Sequence, residues 1–182
     1  MPVTFHLVRH AQGFHNLSRE HEKIQDPDLT DLGQRQCAAL KASFPHHDKV
    51  THFVTSPLKR ALSTCLLGFA PPAEIPIIAL AELKEVGDAP CDTGSNIELL
   101  KRDFPHFLDL SYVPEAWTTV YDWVSWDVKL SQLKERAVKA RLALQQLAQG
   151  LGENEHAVIV THGAFLHFLT DDYYGVKPKN GS

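Results

Sequence analysis

Two apolar runs of strand length end in residues able to do chemistry. Thr4-Phe5-His6-Leu7-Val8 is followed by Arg9 and His10, and Ala157 to Thr161 by His162-Gly163. A third run, Val50 to Thr55, leads into Ser56, with Arg60 about one helical turn further on. If these strands are parallel neighbours, two arginines and two histidines meet at one end of a sheet and can hold a tetrahedral dianion. Arginine suits that task because its planar fork binds phosphate bidentately and stays charged. One histidine can attack phosphorus and carry the phosphoryl group covalently. It must be neutral at the attacking nitrogen, and nearby arginines help by opposing its protonation. The other can donate to the phosphoryl oxygens as charge builds. A leaving alkoxide also needs a proton, and Glu82 and Glu85 lie just after a further strand-like run, Ile75 to Leu80.

The elements that must position these groups alternate in type. Thr30 is a candidate N-cap, with Asp31 in the first turn and Cys37, Leu40 and Phe44 at helical spacing. Ser56-Pro57 is expected to open a second helix, with apolar stripe Leu58, Ala61, Leu62, Cys65 and Phe69. Residues 82–126 look less regular, hold Trp117, Trp123 and Trp126, and are expected to form a specificity insertion. Leu130, Leu133, Ala137, Ala140, Leu144 and Leu147 mark the longest helix, and Phe165, Leu166 and Leu169 a last one. Residues 177–182 read as a loose tail. The pattern predicts one α/β domain over residues 1–182, a three-layer sandwich whose mostly parallel central sheet is flanked by helices. Ligands in such sheets sit beyond the carboxyl ends of the strands.

The chain has 182 residues, 43% hydrophobic and 22% charged, with a net charge of -4. That balance gives no global basic field for nucleic acid, so an anion site must be built locally. Cys37, Cys65 and Cys91 are odd in number and far apart, which argues for reduced thiols. No apolar stretch approaches the roughly 18 residues of a membrane span, and the N-terminus enters a strand at once without a leader. These features predict a soluble, cytoplasmic protein that engages neither membrane nor nucleic acid, as a monomer or homodimer.

Four segments, in order, resemble the motifs of the histidine phosphatase superfamily, which includes phosphoglycerate mutases. They are Leu7-Val8-Arg9-His10-Ala11-Gln12-Gly13-Phe14-His15-Asn16, Ser56-Pro57-Leu58-Lys59-Arg60-Ala61, Leu83-Lys84-Glu85-Val86-Gly87 and Thr161-His162-Gly163. Pro90-Cys91-Asp92-Thr93-Gly94-Ser95 further resembles the family's fungal branch. The resemblance implies a phosphoglycerate mutase-like fold, with His10 as the phosphorylated nucleophile. Arg9, Arg60 and His162 would form the phosphate pocket, Asn16 would add a polar contact, and Gly13 would shape the loop. Glu85 would donate the proton and later activate water, with Glu82 and then Asp88 as rival donors. It implies no metal and no cofactor. Ala11 stands where the family usually has glycine, which a turn tolerates unless it requires φ > 0. Related chains usually continue into another strand where this one stops near Lys179, implying a truncated chain or a sheet edge covered by a partner.

The reading that follows is a metal-independent phosphomonoester hydrolase acting on a small-molecule phosphoester. The rivals are a phosphoglycerate-type mutase and a family member recruited to other chemistry or to phospholigand binding. His6, His15, His46 and His47 are expected to serve packing or loops, and Asp92 and Ser95 to cap a helix, with contact to substrate as the alternative. One tryptophan of the insertion is a candidate to line the substrate pocket.

Overall fold

A computed structural model describes residues 3–104, 108–119 and 126–172. Five strands, β1 (Thr4–Arg9), β2 (Val50–Thr55), β3 (Ile77–Leu80), β4 (Leu108–Tyr112) and β5 (His156–Thr161), form one sheet in the order β1-β5-β2-β3-β4. Every pairing among them is parallel. The helices are α1 (Asp31–Ser43), α2 (Lys59–Phe69), α3 (Ile97–Asp103), α4 (Trp126–Ala148) and α5 (Gly163–Leu169). β5 is inserted last in sequence between β1 and β2, and its residues 157–161 are all buried. A central parallel strand covered on both faces needs such an unbroken apolar run.

Alternation along the strands builds two cores. Phe53, Ile77, Ala79, Val158 and Val160 face α2, where Leu58, Ala61, Leu62, Cys65 and Phe69 are all buried. Val54, Leu80, Ala157 and Ile159 face α4 and α5, meeting Leu133, Ala137, Ala140, Leu144, Phe165 and Phe168. The expected α/β sandwich with a parallel sheet is therefore present. The three cysteines are buried and form no disulfide. No helix among the described residues is long and apolar enough to cross a membrane.

Three local expectations need correction. α2 starts at Lys59, not at Pro57. The Ser56 hydroxyl is engaged elsewhere, and Asp26 Oδ1 accepts from Lys59 N at 2.9 Å in its place. β3 starts at Ile77 because Pro76, lacking an N–H, cannot join the ladder. The 82–126 segment is more regular than expected. It contains α3, capped by Asn96 Oδ1 on Leu99 N at 2.9 Å, and the outer strand β4. Asn96, rather than Asp92 or Ser95, makes that cap. The 177–182 tail and Trp123 lie outside the described residues, as does the side chain of Trp126.

Candidate active site

The register aligns the chemistry-bearing strand ends. Arg9 pairs with Thr161, and Thr55 with Val160. The pattern continues one residue further: His10 N donates to Thr161 O, and Ser56 N to Val160 O, each at 2.9 Å. His10, Ser56 and His162 therefore leave the sheet side by side at its carboxyl end. The order of the strands reverses there, which opens a crevice.

His10 is 5% exposed, and its Nδ1 lies 2.7 Å from Ala11 O. A carbonyl only accepts, so Nδ1 carries the proton and Nε2 keeps its lone pair. Burial lowers the His10 pKa to about 3, with Arg60 as the next cause, opposed by the Ala11 bond. The imidazole is thus neutral at physiological pH. His162 is fully buried, with its ring centroid 5.0 Å from that of His10. Its Nε2 lies 2.8 Å from Ser56 Oγ, which also accepts from Leu58 N. With the serine hydrogen on Nε2, the His162 proton sits on Nδ1, a buried atom with no hydrogen-bond partner among the described residues. Burial first, and then Arg60 and His10, hold its pKa well below the ordinary value.

Arg60 is 0% exposed, an expensive place for a charge. Two partners offset the cost: Cys91 O accepts from Nη1 at 2.5 Å and Asp92 Oδ1 from Nη2 at 2.8 Å. Its Nε has no partner among the described residues. Asp92 thus answers a buried guanidinium instead of capping a helix. Asp26, also missed from sequence, accepts from both Lys59 N and Ser95 N and ties the 20s loop to the start of α2 and to the 95 turn. Arg9 is exposed at the tip of β1, and its side chain lies against Gly163, where a Cβ would come within 3.2 Å of Arg9 Nε.

Glu85 is half-buried, and its carboxylate rests on the start of α5. Oε1 accepts from Val86 N at 2.9 Å and Phe165 N at 3.1 Å, and Oε2 from Ala164 N at 3.5 Å. Burial raises its pKa, with Asp92 adding to the shift, despite these N–H donors. Glu82 Oε2 is buried without a hydrogen-bond partner among the described residues. Asp88 pairs with Lys129. The structure thus brings Arg9, His10, Arg60, His162 and Glu85 to neighbouring strand ends. Asn16 is exposed, and its Oδ1 closes a turn by accepting from Gly13 N at 3.1 Å, the local role that an asparagine in a turn commonly takes. Gly13 is buried, and a Cβ there would meet His15 Nδ1 at 2.8 Å. Ala11 does not adopt a positive φ, so the missing glycine costs nothing. Its N donates to Thr64 Oγ1 at 3.0 Å.

A cavity of about 470 Å³ opens beside Glu85, lined among others by Asp92, Val86, Trp117, Leu133 and Arg136. Trp117 is 4% exposed and packs on Gly94, so one tryptophan of the insertion does line a cavity. Among the described residues no group of three or more His, Cys, Asp or Glu side chains could hold a metal ion.

The neutral buried histidines make stability depend on pH. A folded-state pKa below the unfolded value means that the unfolded chain binds more protons on acidification. Stability is then lost as pH falls below about 6.5 and goes on falling towards the folded pKa, about 3 for His10. His10 alone should cost about 2 kcal/mol between pH 7 and pH 5. Glu85, with its pKa raised, acts in the opposite direction. Urea unfolding at both pH values should show a loss smaller by about that amount in His10→Gln. An equal loss in both proteins would mean that His10 is not held neutral.

Comparison with known proteins identifies the family. The model of the histidine phosphatase superfamily (branch 1) matches residues 5–182, and the chain belongs to that family. It is similar to a probable phosphatase of Schizosaccharomyces pombe, 32% identical over 113 residues that cover 57% of this chain and 50% of that protein. The chain thus matches half the length of this relative. A 2,3-bisphosphoglycerate-dependent phosphoglycerate mutase of Methylorubrum populi is 28% identical over 186 residues, covering 95% of this chain and 80% of its own. Among solved structures, the ecdysone phosphate phosphatase of Bombyx mori, in complex with tungstate, shares the fold with a TM-score of 0.66. It is 15% identical and is matched over 100% of this chain and 81% of its own.

Proposed function

We propose that the protein is a metal-independent phosphomonoesterase that works through a phosphohistidine on small-molecule phosphates. The observation that carries this reading is the His10 imidazole: neutral, with Nδ1 tied to Ala11 O and Nε2 without a hydrogen-bond partner among the described residues, beside the buried Arg60 and His162. In the first step His10 Nε2 attacks phosphorus, the bond to the ester oxygen breaks, and Glu85 gives that oxygen its proton. Arg9, Arg60 and His162 balance the charge on the phosphoryl oxygens, and Asn16 and Gly13 shape the loop beside them. In the second step the Glu85 carboxylate takes a proton from water, whose oxygen attacks phosphorus. The N–P bond breaks, phosphate leaves, and His10 and protonated Glu85 are restored. The raised proton affinity of Glu85 suits a group that must give and then take a proton near neutrality.

The family also contains mutases, and similarity to one runs along 95% of this chain. The cavity beside Glu85 favours the hydrolase. Its described lining carries the acids Glu82, Glu85, Asp88, Asp92 and Glu135 against the bases Lys84, Arg136 and Lys139. That balance is unfavourable for the extra carboxylate of a phosphoglycerate. Val86, Pro114, Trp117 and Leu133 in the same lining favour a partly apolar leaving group. Three buried cysteines outside any disulfide fit a reducing compartment, and we place the enzyme in the cytoplasm as a monomer or homodimer without nucleic-acid or membrane partners. A panel of phosphomonoesters assayed for released phosphate in the presence of a chelator tests the reading. Partly apolar esters are expected to be hydrolysed best. Exchange of 2- and 3-phosphoglycerate without phosphate release would instead establish the mutase, and activity lost with the chelator would contradict a metal-independent mechanism.

A further inference from the structure

α4 contributes one half-buried cation to the region behind Glu85. Arg136 Nη2 donates to Lys84 O at 3.0 Å and to Glu85 O at 3.2 Å, and Nη1 donates to Glu85 O at 3.3 Å. Its guanidinium carbon also stands 4.5 Å over the Phe165 ring. Phe165 N is in turn a donor to the Glu85 carboxylate. A closed circuit results: Arg136 grips the Glu85 carbonyl, the Glu85 carboxylate rests on Phe165 N, and the Phe165 ring returns to Arg136. An arginine that served only to solvate a helix face would reach water or an exposed acid. This one spends its fork on the main chain of the residue that bears the acid.

We propose that Arg136 is a positioning residue for the proton transfers at Glu85, holding that residue's main chain and the first turn of α5 as one unit. The proposal rests on the phosphomonoesterase reading above. Arg136 stays charged at neutral pH although burial lowers its pKa to about 10, and the acids facing it are Glu85, Glu82, Asp92 and Asp88. Glu85 itself faces Asp92 and Arg60. Lys84 and His162 are held towards their neutral forms first by burial, and the charge of Arg136 adds to both shifts. Arg136 therefore also favours the ionised form of Glu85, and removing its charge should let Glu85 keep its proton to higher pH. Lysine would preserve the charge but not the fork that spans two carbonyls.

The test compares Arg136→Met and Arg136→Lys with the wild type on glycerol phosphate, whose alkoxide needs a proton, and on 4-nitrophenyl phosphate, whose leaving group does not. In Arg136→Met, kcat/KM, which covers only the steps up to phosphorylation of His10, is expected to fall at least about 10-fold on glycerol phosphate and less than about 3-fold on 4-nitrophenyl phosphate. The basic limb of kcat/KM on glycerol phosphate should move to higher pH. Arg136→Lys should restore the position of the limb but not the rate. Equal falls on both esters with unmoved limbs would mean a merely structural role and overturn the proposal, as would wild-type values throughout. Should Arg136→Met not fold, a wild-type ratio of the two rates in Arg136→Lys overturns it as well. The parent reading fails separately: wild-type protein that hydrolyses neither ester, or His10→Ala that hydrolyses both at the wild-type rate, removes it and this proposal together.

Discussion

His10→Ala is expected to lose at least about 10⁴-fold in kcat on every phosphomonoester that the wild type hydrolyses, with the fold intact. The size of the effect follows from the role proposed for His10 Nε2. If it forms the only covalent bond to phosphorus, its loss leaves the phosphate pocket and the proton donor with no nucleophile to serve. Groups that act as one unit fail together, so a second substitution at His162 should add little to the first. Steady-state release of phosphate measures the loss. The alanine variant should still bind inorganic phosphate through Arg9, Arg60 and His162, because those donors are untouched and removal of the ring opens space. A His10→Ala variant with wild-type turnover would remove the nucleophile from the account.

Glu85→Gln is expected to separate the two halves of the reaction. Glutamine keeps the shape and can still accept from Phe165 N, but it cannot give a proton or take one from water. Turnover of an alkyl ester should fall about 10²- to 10⁴-fold, the usual contribution of a positioned acid or base. An aryl ester with an acidic leaving group should still phosphorylate His10 quickly, and only the hydrolytic step should slow. A burst of phenol followed by slow turnover in a stopped-flow experiment is the expected trace. A slow first turnover with both kinds of ester, and no burst, would contradict the role of Glu85. The same substitution at Glu82, whose Oε2 has no hydrogen-bond partner among the described residues, should leave the alkyl-to-aryl ratio unchanged.

How much of this was legible in the sequence depended on whether the determinant was local. The ends of β1 and β5 could be read because an apolar run turns directly into Arg9-His10 or His162-Gly163, within one strand and one turn. Their convergence is a matter of register, Arg9 opposite Thr161, set by pairing between segments about 150 residues apart in the chain. No periodicity reports that. The role of Asp92 was misassigned and Asp26 was missed because each acts on a distant partner, Arg60 or the start of α2, from a segment without repeating pattern. Arg136 was passed over because only the apolar stripe of α4 was read. Its place three residues after Leu133 and four before Ala140, both buried, sets it at the border of that stripe. That was the one available signal. The start of α2 was misread for a related reason. Ser56 has the right type for a cap, but its hydroxyl serves His162 and Leu58 N, and the cap on Lys59 N came from a loop 33 residues upstream. The α3–β4 unit was read as irregular because its elements are short, seven and five residues. A strand of that length shows too little alternation to stand out from a loop.

The phosphoenzyme itself is the most direct measure of the central claim. Brief reaction with a labelled phosphomonoester, quenching under alkaline conditions where phosphohistidine survives, and peptide mapping should place one phosphoryl group on His10. The label should decay on acidification, persist longer in Glu85→Gln, and be missing from His10→Ala. Turnover of the wild type with no trapped phosphoryl group, or with the label on any other residue, would contradict the account.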